Sequence, residues 1–373
     1  MENPKVTVLM SVYNGENYLK ESVESILNQT FENFEFIVID DGSTDSTWET
    51  LNAYAAKDRR IMLIKNEQNI GLTRSLNKGL AKAKGNYVAR QDADDVSLAN
   101  RLRTQVNYLD IHPDVALVSC NIDYMDSTGK SIGKSNRCGE PTLVQWLMLF
   151  YNHIGGHSQV MFRLECVLKL AGYSEERRYS QDYELWLRLS QQGKLVIIPE
   201  VLLRYRYHEN KLSYKASHEQ TQYSLLDSQK QLHRLTKKIF NIIEVEDLRN
   251  FWLDEFSLIQ NPYQINSNLW NTYHAFIRNG FNLPSKVLKL DRVIGKMISR
   301  QFYKWARALN VTKQKELKKH VLSCGYQWYP QGLYTYLQEE LITEPFQALL
   351  TIAKKHIKSM LKKSRTLDNH LLF

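Results

Sequence analysis

Gln91-Asp92-Ala93-Asp94-Asp95 concentrates three carboxylates behind Gly85-Asn86-Tyr87-Val88-Ala89-Arg90, which reads as a short strand entered through a glycine turn. Carboxylates crowded at a strand's end repel one another, and a divalent cation neutralises them best. Mg²⁺ and Mn²⁺ prefer oxygen ligands, often one or two carboxylates together with substrate phosphates. The chemistry such a segment suggests is metal-diphosphate binding. Aspartates also serve turns and helix N-caps, so the segment acquires meaning only from its neighbours.

Those neighbours are strands and helices in alternation. Val6 to Val12 is apolar and β-rich, and Asn14-Gly15 ends it. Glu16 to Gln29 sets Leu19, Val23, Ile26 and Leu27 on one helical face. Phe34 to Ile39 is a second strand running into Asp40-Asp41-Gly42-Ser43-Thr44-Asp45, whose polar residues offer N-caps for a helix through about Ala56. Ile61 to Ile64 predicts a third strand, and Gly71 to Lys84 a helix with Leu72, Leu76 and Leu80 on its apolar face. A helix from about Leu98 to Ile111 precedes a strand at Val115 to Cys120. This alternation predicts crossover units and a largely parallel sheet, and such sheets bind ligands at the carboxyl ends of their strands. Ser11-Val12-Tyr13, Asp40-Asp41 and Asp92 to Asp95 all fall at such ends.

Beyond Ser131 the pattern loosens. Thr142 to Tyr151 reads as helix, and His153 to Ser158 as a polar turn before Gln159 to Arg163. Leu185, Trp186 and Leu189 form an apolar stripe, which sets Asp182 in a helix's first turn, where the dipole favours a carboxylate. Leu195 to Ile198 and Val201 to Tyr207 read as two strands ending at His208. From about Tyr214 the chain becomes helical and basic. Phe346 to Leu361 carries an apolar helical face flanked by lysines, a pattern suited either to an anionic membrane surface or to ordinary packing with a solvated basic face.

The 373 residues suggest two or three domains at ~150 residues each. A net charge of +9 favours anionic partners. The four cysteines include no C-x-x-C pair, so neither a zinc knuckle nor a disulfide framework is indicated, and buried reduced thiols suit a cytoplasmic protein. No run of ~18 apolar residues predicts a membrane span, and the N-terminus lacks a signal-peptide core. G-x-G-x-x-G after the first strand and the P-loop pattern are both absent, which argues against a dinucleotide-binding dehydrogenase and a P-loop NTPase. No nucleic-acid-binding motif accompanies the positive charge.

Taken in order, Val8-Leu9-Met10-Ser11-Val12-Tyr13-Asn14, Val38 to Asp45, Asn69-Ile70-Gly71-Leu72, Gln91 to Asp95 and Gln181-Asp182-Tyr183-Glu184-Leu185-Trp186 resemble the family-2 inverting glycosyltransferases of GT-A fold, over residues 5–213. The resemblance implies a catalytic domain at 1–213, with a nucleotide-sugar half at about 1–120 and an acceptor half at 121–213, followed by a helical basic region at 214–373. It implies a nucleotide-sugar site at Ser11, Val12, Tyr13, Asp40 or Asp41, Gln91, Asp92 and Ala93, a metal (Mn²⁺ or Mg²⁺) on Asp94 with His208, and Asp182 as general base. The donor is expected to be a UDP-sugar and the acceptor a glycan or lipid-linked hydroxyl at the inner face of the plasma membrane. Oligomeric state stays open.

Two departures from the family pattern matter. Gln181 stands where relatives often carry Glu. Leu76-Asn77-Lys78-Gly79 replaces Arg-Asn-x-Gly, which leaves Arg74, Asn77 and Lys78 as the donor-contacting candidates. The competing classes are a nucleotide-sugar-binding protein without transfer activity, which Gln181 favours and intact Asp94 and Asp182 oppose, and a sugar-phosphate nucleotidylyltransferase, which needs a glycine-rich basic loop after the first strand.

Overall fold

The structure, a computed structural model, describes residues 4–137, 139–208, 217–278, 287–309, 314–333 and 336. It divides into two compact units, one of residues 1–253 and 259–282, the other of 254–258 and 283–373. The unit that holds the sheet thus runs on past residue 213, where the sequence reading ended the catalytic region.

In the first unit, β1 (Val6–Val12), β2 (Phe34–Asp40), β3 (Ile61–Lys65) and β4 (Tyr87–Arg90) form one parallel block in the order β3-β2-β1-β4. Val12 lies beside Asp40, and Leu9 beside Arg90, so the three strands end along one edge. β1 is buried on both faces, which is why it reads as an unbroken apolar run rather than an alternating one.

Helices α1 (Leu19–Leu27), α2 (Thr47–Ala55), α3 (Leu72–Leu80) and α4 (Arg101–Ile111) connect and cover these strands. Val8, Met10 and Val12 pack with Leu19, Val23 and Leu102 on one face of the sheet. Leu9, Ile37 and Ile39 pack with Leu76, Leu80 and Trp186 on the other. Gly79 permits the second contact, since a Cβ there would come within 2.3 Å of the Leu9 side chain.

The remainder of the sheet is not a continuation of the crossover pattern. β8 (Met161–Arg163) inserts antiparallel between β4 and β6 (Val115–Met125), and β6 then pairs in parallel with β9 (Lys194–Arg206). Two-residue β5 (Val96–Ser97) edges β9, and β7 (Ser131–Lys134) forms a hairpin with β6. The sheet is therefore mixed, though its long ladders are parallel. The two strands expected between Leu195 and Tyr207 are one strand. Ile198 pairs with Cys120 and Val201 with Asn121, so Pro199-Glu200 is accommodated as an irregularity, a place where proline's missing N–H costs no ladder bond.

Helices α5 (Pro141–Leu147), α6 (Leu164–Lys169) and α7 (Gln181–Leu189) complete the sheet's cover. After them come α8 (Ser217–Thr236), α9 (Ile242–Trp252) and α10 (Ile265–Arg278). α9 opens with a full capping box, Asn241 and Glu244 each accepting the other's backbone N–H. In the second unit, α11 (Val287–Ala308) and α12 (Lys315–Trp328) pack together, with Ser299 Oγ donating to the Gly325 carbonyl at 2.8 Å and Phe256 stacked on Trp305.

Among the described residues no helix is long and apolar enough to cross a membrane. Cys120, Cys166 and Cys324 are buried free thiols, and burial pushes Cys120 and Cys324 up to about 11. The segment expected to meet anionic lipid, 346–373, lies outside the described residues.

Candidate active site

The ends of β1, β4 and β9 and the N-terminus of α7 border a cleft of about 790 Å³. Ser11, Val12, Tyr13, Asp92, Ala93, Asp94, Asp182 and His208 all line it, which brings together most of the residues singled out in the sequence. Tyr13 is half exposed, with its ring free to meet a planar ligand.

Beneath the Asp92-Ala93-Asp94 loop lies a buried polar scaffold. Gln91 is fully buried and does not reach the cleft. Its amide nitrogen donates to Ser22 Oγ and the Asp95 carbonyl, and its oxygen accepts from Ser97 Oγ and Arg101. Arg101, also fully buried, further donates to the carbonyls of Arg90 and Val160, and burial lowers it to about 10. Ser22 Oγ donates to the Asp92 carbonyl at 2.8 Å, and the Asp92 N–H donates to Ser158 Oγ at 2.9 Å. Every turn of the loop is therefore held from below. Gln91 reads as a positioning residue, not a ligand contact.

The two aspartates that point outward have different partners. Asp92 is ion-paired to the buried Arg90 at 2.8 Å. Asp94 Oδ2 lies 2.9 Å from His208 Nε2 although 114 residues separate them in the chain. Arg206 clamps this corner. It donates from Nε to the Asp94 carbonyl at 3.0 Å, pairs with Glu21, and lies over the Tyr18 ring, which in turn meets the His208 ring at 5.0 Å. Carboxylate plus imidazole is a donor set that suits a divalent cation sharing oxygen ligands with a diphosphate. Among the described residues no group of three or more such side chains converges, so a cation here would take its remaining ligands from substrate and water.

Asp40 and Asp41 are neighbours with opposite fates. Asp41 is buried and accepts from the N–H groups of Ile70 and Gly71, from Asn66 Nδ2 and from Ser75 Oγ, all between 2.8 and 3.0 Å. It anchors the segment leading into α3. Asp40 Oδ1 accepts from the Ser43 N–H at 3.1 Å, while its buried Oδ2 carries no hydrogen bond among the described residues. Asp40 thus keeps an unfilled acceptor, but both residues are buried and neither lines the cleft.

The α3 candidates face elsewhere. Arg74 is exposed and pairs with Glu175 at 3.4 Å. Asn77 exchanges hydrogen bonds with the backbone of Tyr173, accepting at 2.9 Å and donating at 2.9 Å, and so ties α3 to that loop. Lys78 donates to Asn66 Oδ1 at 2.9 Å. None of the three lines the cleft.

On the other side, Asp182 sits in the first turn of α7. Its Oδ1 accepts from the Tyr183 N–H at 2.8 Å and its Oδ2 from Asn152 Nδ2 at 3.3 Å. Ser180, just before the helix, is held at φ +57°, a left-handed conformation that costs a non-glycine residue about 1–3 kcal/mol and here aims the helix's opening turn. The buried His157 ring lies edge-on to Tyr173 and Trp186, and burial, then the charge of Arg90, lower its pKa and keep it neutral. Arg90, Arg206 and Asn152 were not singled out in the sequence. The first two directly precede a chosen residue or lie within two positions of one, which was the available signal. Nothing local marks Asn152.

Residues 7–165 match the family model "Glycosyl transferase family 2". An uncharacterized glycosyltransferase of Haemophilus influenzae is 36% identical over 235 residues, covering 60% of this chain and 72% of that protein. The amylovoran biosynthesis glycosyltransferase AmsE of Erwinia amylovora is 29% identical over 232 residues, 61% of this chain and 84% of its own. Among solved structures, S. aureus TarS 1–349 in complex with UDP-GlcNAc superposes with a TM-score of 0.54 at 17% identity, over 88% of this chain and 92% of that one, a likeness of fold. The mixed sheet with its flanking helices is the GT-A fold, and the chain belongs to glycosyl transferase family 2 as a glycosyltransferase.

Proposed function

We propose that this enzyme moves a sugar from a UDP-sugar to a hydroxyl of a glycan or lipid-linked acceptor, with inversion at the anomeric carbon, in the assembly of a surface polysaccharide, lipopolysaccharide or glycoprotein glycan at the cytoplasmic face of the membrane. One observation carries the reading: a single cleft is lined by both the Asp94–His208 pair and the Asp182 carboxylate. TarS, which shares the fold, is described with UDP-GlcNAc, and AmsE is named for amylovoran biosynthesis; both support the substrate class.

Each residue has a chemical task in this scheme. Tyr13 offers a ring face to the base; Asp40 Oδ2, buried behind the cleft's lining, would accept from an imide N–H such as that of uracil once its cover opens. Ser11 and Val12 continue that wall. Asp92, oriented by Arg90, accepts from a ribose or sugar hydroxyl. Asp94 and His208 would hold Mn²⁺ or Mg²⁺, which when bound supplies Lewis-acid stabilisation to the departing nucleoside diphosphate. Asp182 takes the proton from the acceptor hydroxyl as its oxygen attacks, a contribution of ~10²–10⁴-fold. With one base and no second nucleophilic carboxylate in the scheme, a single displacement inverts the centre.

Calorimetric titration with UDP, GDP and dTDP, each with Mn²⁺ and with EDTA, tests the donor half. UDP should bind only with metal, and Asp94→Ala should weaken that binding by at least ~10²-fold, the scale of losing one electrostatic stabiliser. Equal UDP binding in EDTA and in the variant would remove Asp94 from the metal site.

A further inference from the structure

One wall of the cleft has no task in the scheme above. Tyr205 and Tyr207 line it, and Tyr124 stands beside them. Tyr124 and Tyr205 are register partners across β6 and β9, so their side chains share a face of the sheet. Tyr207, two residues further on, keeps the same phase, and its N–H donates to the Met125 carbonyl at 2.8 Å. The three rings meet at centroid distances of 6.2, 5.5 and 5.4 Å with interplanar angles of 82°, 33° and 74°. Rings propped at such angles hold one another upright, and Tyr207 remains 49% exposed.

The wall continues toward the proposed base. Tyr205 Cε2 lies 3.8 Å from where a side chain on Gly156 would begin, and Gly155 exchanges hydrogen bonds with Asn152, which donates to Asp182. Asp126 and Ser127, at the tip of the β6–β7 hairpin, line the same stretch. Phenol faces interleaved with hydroxyl and carboxylate groups match one class of occupant. A pyranose ring has an apolar face of C–H groups and an equatorial rim of hydroxyls, whereas a polyprenyl chain has nothing to offer the polar groups.

We infer that Tyr124, Tyr205 and Tyr207 form an acceptor subsite that seats a pyranose ring, so that the group recognised next to the accepting hydroxyl is carbohydrate. The inference rests on the transferase reading. Saturation-transfer NMR on the full chain with UDP and Mg²⁺ tests it, with the methyl pyranosides of glucose, galactose, mannose and N-acetylglucosamine as probes. At least one should receive saturation at the C–H protons of one ring face. The signal should fall about fivefold in Tyr205→Ala and Tyr207→Ala and persist in Tyr207→Phe, the scale of one aromatic contact. UDP calorimetry on the same samples should not change. No transfer to any pyranoside in UDP-binding wild-type protein, or equal transfer in the alanine variants, would overturn the subsite, as would farnesyl phosphate being the probe that depends on Tyr207. Tyrosine-dependent pyranoside binding without UDP binding would leave the subsite standing and sink the donor reading.

Discussion

The two halves of this sheet solve the same problem differently. In the β1–β4 block the strands run parallel and their ends align, and Asp41 there spends both oxygens on the Asn66 and Ser75 side chains and the Ile70 and Gly71 N–H groups. In the β6–β9 half, an antiparallel strand interrupts the order, and the groups at the cleft come from a helix N-terminus, a glycine turn and a hairpin tip. The first half holds Asp41 by four short bonds close to the sheet. The second holds Asp182 by one backbone N–H and one long amide contact.

Substitutions can break or sharpen this contrast. The largest effect is expected at Asp182: Asp182→Asn keeps the helix turn and an acceptor for the Tyr183 N–H, giving up only the long contact from Asn152, so UDP affinity should hold while transfer falls ~10²–10⁴-fold. Near-normal turnover in a transfer assay would end its assignment as base.

On the donor side, Asp41→Ala should act through the fold. It removes the acceptor shared by four donors, of which Gly71 keeps Asn69 and Asn66 keeps Ser75, and thermal or urea unfolding should show a loss of about 3 kcal/mol. Its neighbour should behave in the reverse way. Asp40→Asn should leave the unfolding midpoint near wild type and weaken UDP binding about tenfold, on the scale of ~1–3 kcal/mol for a hydrogen bond to a charged group. If both variants unfold early, the division of labour between Asp40 and Asp41 fails.

The smallest effect concerns pH. Arg177 pairs with Asp227 on α8 beside the loop that leads to Asp182, and burial raises Asp227 to about 6 despite that pairing. A carboxyl whose folded pKa exceeds its unfolded value of 3.8 stabilises the fold fully below that value, and the contribution is lost as pH rises through 6. Asp227→Asn should therefore gain on wild type between pH 4 and 7, by on the order of 1 kcal/mol in melting experiments. A constant difference across that range would show that Asp227 does not titrate there.

Legibility followed the same division. The first four strands and their helices announce themselves through apolar runs, repeat spacing and polar ends, and the Asp-x-Asp segment needs no tertiary information to stand out. The antiparallel β8 is only three residues long, too short to show a period, and its direction is set by its neighbours. Pro199 made β9 read as two strands, because the bulge that accommodates it exists only against β6. Asn77 and Arg74 are candidates through likeness to the family's Arg-Asn-x-Gly pattern, but whether a side chain faces a cleft or the Tyr173 loop depends on packing. The Asp94–His208 meeting was an expectation of family likeness, since no local pattern joins residues 114 positions apart.

The alternation along the end of β9 has an outcome for how such enzymes diversify. Arg206 faces the Asp94 corner, while Tyr205 and Tyr207 face the aromatic wall. Two different surfaces are thus written on one strand in opposite phase. A single-residue insertion or deletion between Val201 and Arg206 would exchange them, putting a guanidinium among the phenols and a phenol beside the carboxylates. Length changes there keep the phase only when they come in pairs of residues, whereas the β6–β7 hairpin tip carries no such constraint.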